Sequence, residues 1–268
     1  MSLQRLAALG AAIVLTGCLN TGEPGGGQQN YGFVFLETRQ LTTGEYVLRP
    51  NAIFYRTGLV NLPGSGGTFD DCGVGPYVEP GPGTFPPVID AGESIMMSLS
   101  GSQALLVPEP QQSGPLRYVI PDDGTFEFEP GDTVTLEIPG ASPGFPSWTL
   151  EAKTAEAFVP AEVPIPEEPT ELQLTWTPAA SGPNSRMAVQ LRYFTETGQH
   201  EQLVCELNDD GQYRIDAAEA EGWRAAQVEG REAIFTRWRI TGEAVSGSVL
   251  LVMSTFEVPT EQIAAEPQ

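Results

Sequence analysis

The sequence predicts an all-β protein built as two immunoglobulin-like antiparallel β-sandwich domains, with one short helix in the second. Three observations lead there. Short runs alternate apolar and polar residues with a period of two, no long stretch carries a helical period, and 30 glycines and 24 prolines punctuate the chain. Hydrophobic residues make up 40% of the chain, enough for a core.

The alternation can be followed in order. Phe33 and Phe35 open the first strand, and Ile53, Tyr55 and Leu59 mark the second. A Gly/Pro-rich loop is expected over 61–87, after which Ile89, Ile95, Met97 and Leu99 resume the pattern. Phe126 and Phe128 alternate with Glu127 and Glu129, then Val134, Leu136 and Ile138 with Thr133, Thr135 and Glu137. Trp148 and Leu150 alternate with Thr149 and Glu151. Each run presents one apolar and one polar face, as a half-buried antiparallel strand requires. Residues 159–170 hold four prolines. Proline cannot donate to a ladder, so this stretch reads as a stiff linker or edge segment dividing a first domain (31–158) from a second (171–258).

The second half repeats the pattern. Leu172, Leu174 and Trp176 share a face; Met187, Val189, Leu191 and Tyr193 follow, then Leu203, Cys205 and Leu207. Asn208-Asp209-Asp210-Gly211 is a turn leading into Tyr213 and Ile215. Ile234, Trp238 and Ile240 oppose Phe235, Arg237 and Arg239, and Val249, Leu251 and Met253 form the last strand. The helix is expected over 217–226, capped by Asp216 with Glu219 reaching back, although Gly222 weakens it. Residues 259–268 read as a disordered tail.

The first 30 residues carry an address. Arg5 precedes an uncharged apolar run from Leu6 to Leu15, which closes on Leu15-Thr16-Gly17-Cys18. That run is too short for a bilayer, where roughly 20 residues are needed, so it reads as a signal segment over 1–17. The motif resembles the lipobox of bacterial lipoproteins. The resemblance implies cleavage before Cys18, acyl chains on that cysteine, and attachment to a membrane through them. Leu19 stands where an aspartate signals inner-membrane retention in many Gram-negative species, so the family rule implies the outer membrane. Residues 18–30 supply the lipidated cysteine and a Gly-rich tether.

The body resembles exported, often lipid-anchored β-rich proteins of myxobacteria and their relatives, which bring no established activity. Four stretches carry this likeness in order: Asp90-Ala91-Gly92; Glu129-Pro130-Gly131-Asp132-Thr133-Val134; Leu174-Thr175-Trp176-Thr177; and Cys205 ahead of Asp210-Gly211-Gln212-Tyr213. The likeness spans roughly 88–256 and implies tandem β-sandwich modules.

Charge and chemistry narrow the function. Acidic residues number 35 against 13 basic ones, a formal net charge of −22, which makes nucleic acid a poor partner. Cys72 and Cys205 remain after lipidation. An oxidising compartment favours their pairing, and a buried thiol at Cys205 is the alternative. Gly140-Ala141-Ser142-Pro143-Gly144 matches a nucleophile-elbow pattern, but Phe145-Pro146 interrupts the helix that should follow, and His200, the single histidine, stands in a polar turn. The pairs Asp70-Asp71, Asp122-Asp123 and Asp209-Asp210 read as turn chemistry, without calcium-loop spacing. Trp148, Trp176 and Trp238 belong to apolar faces; Trp223, beside Arg224, is the tryptophan expected to be exposed and able to stack a ligand. The stretch 73–87, with Tyr77 and Phe85, reads as a connector held by Cys72. No cofactor or metal site is expected. The sequence thus predicts a lipid-anchored, non-enzymatic envelope protein with an interaction or structural role. A carbohydrate- or protein-binding module, or a carboxylate-dependent hydrolase, is the alternative.

Overall fold

A computed structural model of the chain describes residues 29–41, 43–57, 69–77, 87–109, 116–180, 184–227, 230–245 and 247–261. The signal segment, Cys18, Leu59, Phe85 and most of the expected tether and tail lie outside the described residues.

The protein is all-β. Its strands are β1 (Gln29–Gln40), β2 (Tyr46–Thr57), β3 (Asp71–Pro76), β4 (Ile95–Leu99), β5 (Ser102–Glu109), β6 (Arg117–Val119), β7 (Phe126–Glu127) and β8 (Thr133–Ile138). There follow β9 (Trp148–Lys153), β10 (Leu172–Thr175), β11 (Ser185–Phe194), β12 (His200–Asn208), β13 (Gln212–Ile215), helix α1 (Glu221–Ala225), β14 (Glu232–Val245) and β15 (Ser248–Glu261). Hydrogen bonds link them in the order β3-β12-β11-β14-β15-β1-β2-β6-β5-β4-β8-β9, with β7 also on β2 and a separate β10-β13 pair.

The half-buried strands follow their alternation directly. Burial is strictly alternate along β4, β8, β9 and β11. Strand β1 departs from it, because its interior is buried on both faces. Val34 and Leu36 enter one core, while Tyr31 and Phe33 pack with Ile53, Val249 and Leu251 on the opposite side. A central strand reads as the unbroken run Gly32-Phe33-Val34-Phe35-Leu36 for this reason.

Two cores form. One gathers Val34, Leu48, Phe54, Met97, Tyr118, Leu136 and Phe145 with Leu250 and Val252. The other gathers Trp176, Met187, Tyr193, Leu203, Cys205, Trp223 and Phe235 with Phe256. Buried residues up to Ala152 belong to the first core and those from Ala155 to Phe235 to the second, but the hydrogen bonding does not stop there. The end strands of the chain run side by side, β1 parallel to β15 from Asn30↔Ser248 to Thr38↔Phe256. Strand β3, from the first half, joins β12 of the second. Strand β15 feeds Leu250 and Val252 to one core and Phe256 to the other, so no break separates two independent sandwiches. Sharing strands couples the cores, and calorimetric unfolding is expected to show a single peak with equal calorimetric and van't Hoff enthalpies; two resolved peaks would contradict the coupling.

Four expectations change in detail. The stretch 159–170 is an edge segment and not a free linker: Ala161 donates to Thr175 O (2.9 Å), Thr177 donates to Val159 O (3.1 Å), and Val163 is buried in the second core. The 61–87 loop contains β3, whose Gly-rich sequence hides it from an alternation test. The helix is shorter than expected. It begins after Ala220 with no side-chain cap, the preceding turn closing through Ala220 N to Asp216 O (2.9 Å). Gly222 is required in it, because a Cβ there would run into the Tyr193 hydroxyl. Finally, residues 259–261, expected in the tail, belong to β15, which pairs with β14 through Glu232↔Glu261.

Candidate functional site

The β8–β9 connection over 139–147 contains the elbow-like motif. It lies across one end of the strands and is pinned by its own aromatic. Phe145 is fully buried and packs on Phe54 (ring centroids 4.7 Å) and Trp148 (5.8 Å). Backbone bonds tie the loop to the segment before β4: Gly140 donates to Ala91 O (3.0 Å) and Phe145 to Asp90 O (2.7 Å). Ala141 donates to Phe145 O (2.9 Å), and Ser142-Pro143 is cis.

The glycines of the motif serve this geometry. Gly140 has φ +80°, and a Cβ on it would strike the backbone of Ser147; a Cβ on Gly144 would strike Asp90 O. Gly140→Ala is therefore expected to cost about 1–3 kcal/mol through left-handed strain and the clash, read as a lowered denaturation midpoint. An unchanged midpoint would remove the steric account. No helix follows Ser142. His200 lies on β12, second in the strand order, whereas Ser142 sits between the last two strands, so the sheet does not assemble a Ser–His relay. His200 is held between Phe194 (4.6 Å, stacked) and Tyr77 (4.3 Å).

Two grooves flank the loop. One, of about 700 Å³, includes Asp90, Glu93 and Glu137 in its lining. The Asp90 carboxyl is held below the usual carboxylate range, first by the Gly92 N–H (2.8 Å) and then by the Tyr118 hydroxyl (2.9 Å). Burial, aided by Asp90, pushes Tyr118 up to about 12. That arrangement closes a turn before β4. The carboxyls raised by burial lie elsewhere: Glu206 on β12 is raised further by Asp71, and Glu257 sits on β15. The grooves therefore do not pair a raised with a lowered carboxyl, as a general-acid site would demand. The second groove, of about 640 Å³, is lined by Asn30, Arg56, Ser142, Ser147, Trp148 and Ser248, among others.

The acidic pairs act as turn and edge chemistry. Asp70 accepts from Asn208 N (2.9 Å) and Nδ2 (2.7 Å), and Asp210 accepts from Gln212 N (3.3 Å). Asp122, at φ 59°, lies in a single 3-10 turn. Among the described residues no three His, Cys, Asp or Glu side chains converge to hold a metal.

Asp209 is a different matter. With Arg237 it forms a buried bidentate ion pair, Nε to Oδ2 at 2.7 Å and Nη2 to Oδ1 at 2.9 Å. Trp176 Nε1 (2.8 Å) and the Ser185 hydroxyl complete the carboxylate, and Arg237 also donates to the carbonyls of Glu156, Ala157 and Thr177. Every polar atom of this cluster that needs a partner finds one, which marks it as a structural lock.

Trp223, expected on the surface, is fully buried. Its indole N–H donates to Pro164 O (3.2 Å), its ring meets Tyr193 edge-on (6.4 Å), and it offers no stacking platform. Arg231, which sequence reasoning did not single out, caps the helix end by donating to Trp223 O (3.0 Å), Arg224 O (3.0 Å) and Ala226 O (2.6 Å). Trp223→Phe loses one buried hydrogen bond and leaves a small cavity where the indole's second ring stood. It is expected to cost about 1–2 kcal/mol in chemical denaturation, and a neutral result would place the indole outside the core.

Cys72 and Cys205 are joined in a disulfide across the β3–β12 register.

Comparison with known proteins adds little. No family model and no curated protein matches the chain. One solved structure, a tetra-tandem repeat in the extending region of a large adhesion protein, aligns over 86% of this chain with 12% identity and a TM-score of 0.19. The chain spans about half of that structure, 49%, and a likeness at this level carries no functional argument.

Proposed function

We propose that the protein is a lipid-anchored cell-envelope protein with a non-enzymatic role in interaction or envelope structure, its mature form starting at acylated Cys18 and placed on the outer membrane. One observation carries the reading: an uncharged apolar run ending in Leu15-Thr16-Gly17-Cys18. The Cys72–Cys205 disulfide supports it, because such bonds persist in oxidising compartments outside the cytoplasm. The non-enzymatic part is supported by the missing relay around Ser142 and by the structural duties of Asp90 and Asp209. Stable attachment takes more than one acyl chain, each buried methylene contributing about 0.8 kcal/mol. Cys18→Ala is expected to move the protein from a salt-washed membrane pellet to the soluble fraction. Retention of that variant in the pellet would overturn the anchor.

A further inference from the structure

The second groove beside the 139–147 loop combines one cation with exposed hydroxyls. The Arg56 guanidinium is fixed by one edge: its Nε donates to Asn30 Oδ1 (3.1 Å), and Asn30 Nδ2 in turn donates to Gly144 O (3.4 Å). Among the described residues, Nη1 and Nη2 of Arg56 have no acceptor. In a chain of net charge −22, Arg56 lines a groove of about 640 Å³ with the exposed Ser142 and Ser147 and with Trp148, whose Nε1 donates to Glu243 Oε2 (3.0 Å). A guanidinium with a free fork is suited to an oxyanion, and the hydroxyls beside it to a hydroxylated neighbour.

The location points to the source of that anion. Asn30 belongs to the start of β1, and Gln29 stands eleven positions after Cys18. A Gly-rich chain of that length, if a random coil, would have a root-mean-square span of about 17–20 Å, so a lipid on Cys18 would hold this end of the body close to the bilayer surface. We propose that the groove faces the anchoring membrane and receives the glycerophosphate headgroup of an anionic lipid, Arg56 meeting the phosphate and the serine hydroxyls the glycerol. The proposal rests on the anchor proposed above. The acidic surface opposes approach to an anionic membrane, but screening confines that repulsion to about 8 Å at physiological salt. The tether supplies an effective concentration on the order of millimolar, which makes a weak site sufficient.

Hydrogen exchange on the full processed protein tests this, with intact mass recorded on the same sample. The protein is placed in neutral phosphatidylcholine bilayers, then in bilayers containing phosphatidylglycerol, and separately titrated with soluble glycerol phosphate. Amides over 139–149 are expected to exchange about threefold more slowly with phosphatidylglycerol, as an effective concentration twice Kd would give. Soluble glycerol phosphate should slow the same amides. Arg56→Gln and Ser142→Ala should lose the slowing while keeping the wild-type melting temperature, and Arg56→Lys should restore part of it. Slowing by soluble glycerol phosphate but not by the bilayer would overturn the membrane source. No slowing by either probe, on protein whose mass carries the lipid, would overturn the site. A mass without lipid would be failure of the anchor, and the soluble probe alone would then decide whether the groove binds the anion.

Discussion

Cys72→Ala/Cys205→Ala is expected to lower stability by as much as about 5 kcal/mol and to release β3 from the sheet. The disulfide joins residues 133 positions apart, so it removes a large loop entropy from the unfolded chain. It also fixes an edge strand whose other ties are its β12 pairing and the contacts of its flanks, Asp70 with Asn208 and Tyr77 with His200. Strand β3 has two glycines and a terminal proline, lies at the end of the strand order, and is largely exposed; Val74 is 55% exposed. Among the described residues it pairs with one strand, β12. Denaturation of the variant should show the lower midpoint, and exchange of β3 amides should rise to that of an open chain while β11 and β14 stay protected. A variant with unchanged midpoint and protected β3 would show that backbone pairing alone holds the edge.

Arg237→Met is expected to cost about 3–5 kcal/mol, because it strands the Asp209 carboxylate in the interior with only Trp176 and Ser185 for partners. The double variant Arg237→Met/Asp209→Leu should recover much of that loss, since removing both charges removes the desolvation penalty. The pair also sets an acid limit. Burial raises the Asp209 pKa, but the Arg237 hydrogen bonds and charge, with Ser185 and Trp176, outweigh it and hold the carboxyl below its usual value. A depressed folded pKa contributes stability that is present above the unfolded value of about 3.9 and is lost as pH falls through the folded one. Wild-type stability should therefore drop in that acid window, and Arg237→Met should show a shallower drop. Equal slopes would detach the ion pair from acid unfolding. The same substitution in a cooperative sheet should lower the midpoint of both cores together.

Much of the sheet was legible because alternation is a local signal. Met97, Leu136, Leu150 and Val189 lie on buried faces as the period of two demands. What escaped depended on distant partners. Strand β3 carries no apolar period, and it is a strand because β12 offers it an edge and a cysteine. Alternation places Arg237 on the face opposite Trp238 but shows no partner for it; the partner is Asp209, supplied by a turn 28 residues earlier. Trp223 sits among charged and small residues that suggest a surface helix, yet Tyr193 and the 159–170 segment fold over it. The groove was illegible for the same reason. Asn30 and Ser248 meet only through the parallel β1–β15 pairing, and Ser142 reaches them only because Phe145 anchors its loop.

The first and last strands thus join the two halves of the large sheet at its middle, and the proposed tether would enter there. Intact-mass analysis of the processed protein from envelope fractions tests the tether most directly. The account predicts a chain beginning at residue 18 whose mass exceeds that of the polypeptide by a diacylglyceryl group or more. A chain of plain polypeptide mass, or one retaining residues 1–17, would contradict it.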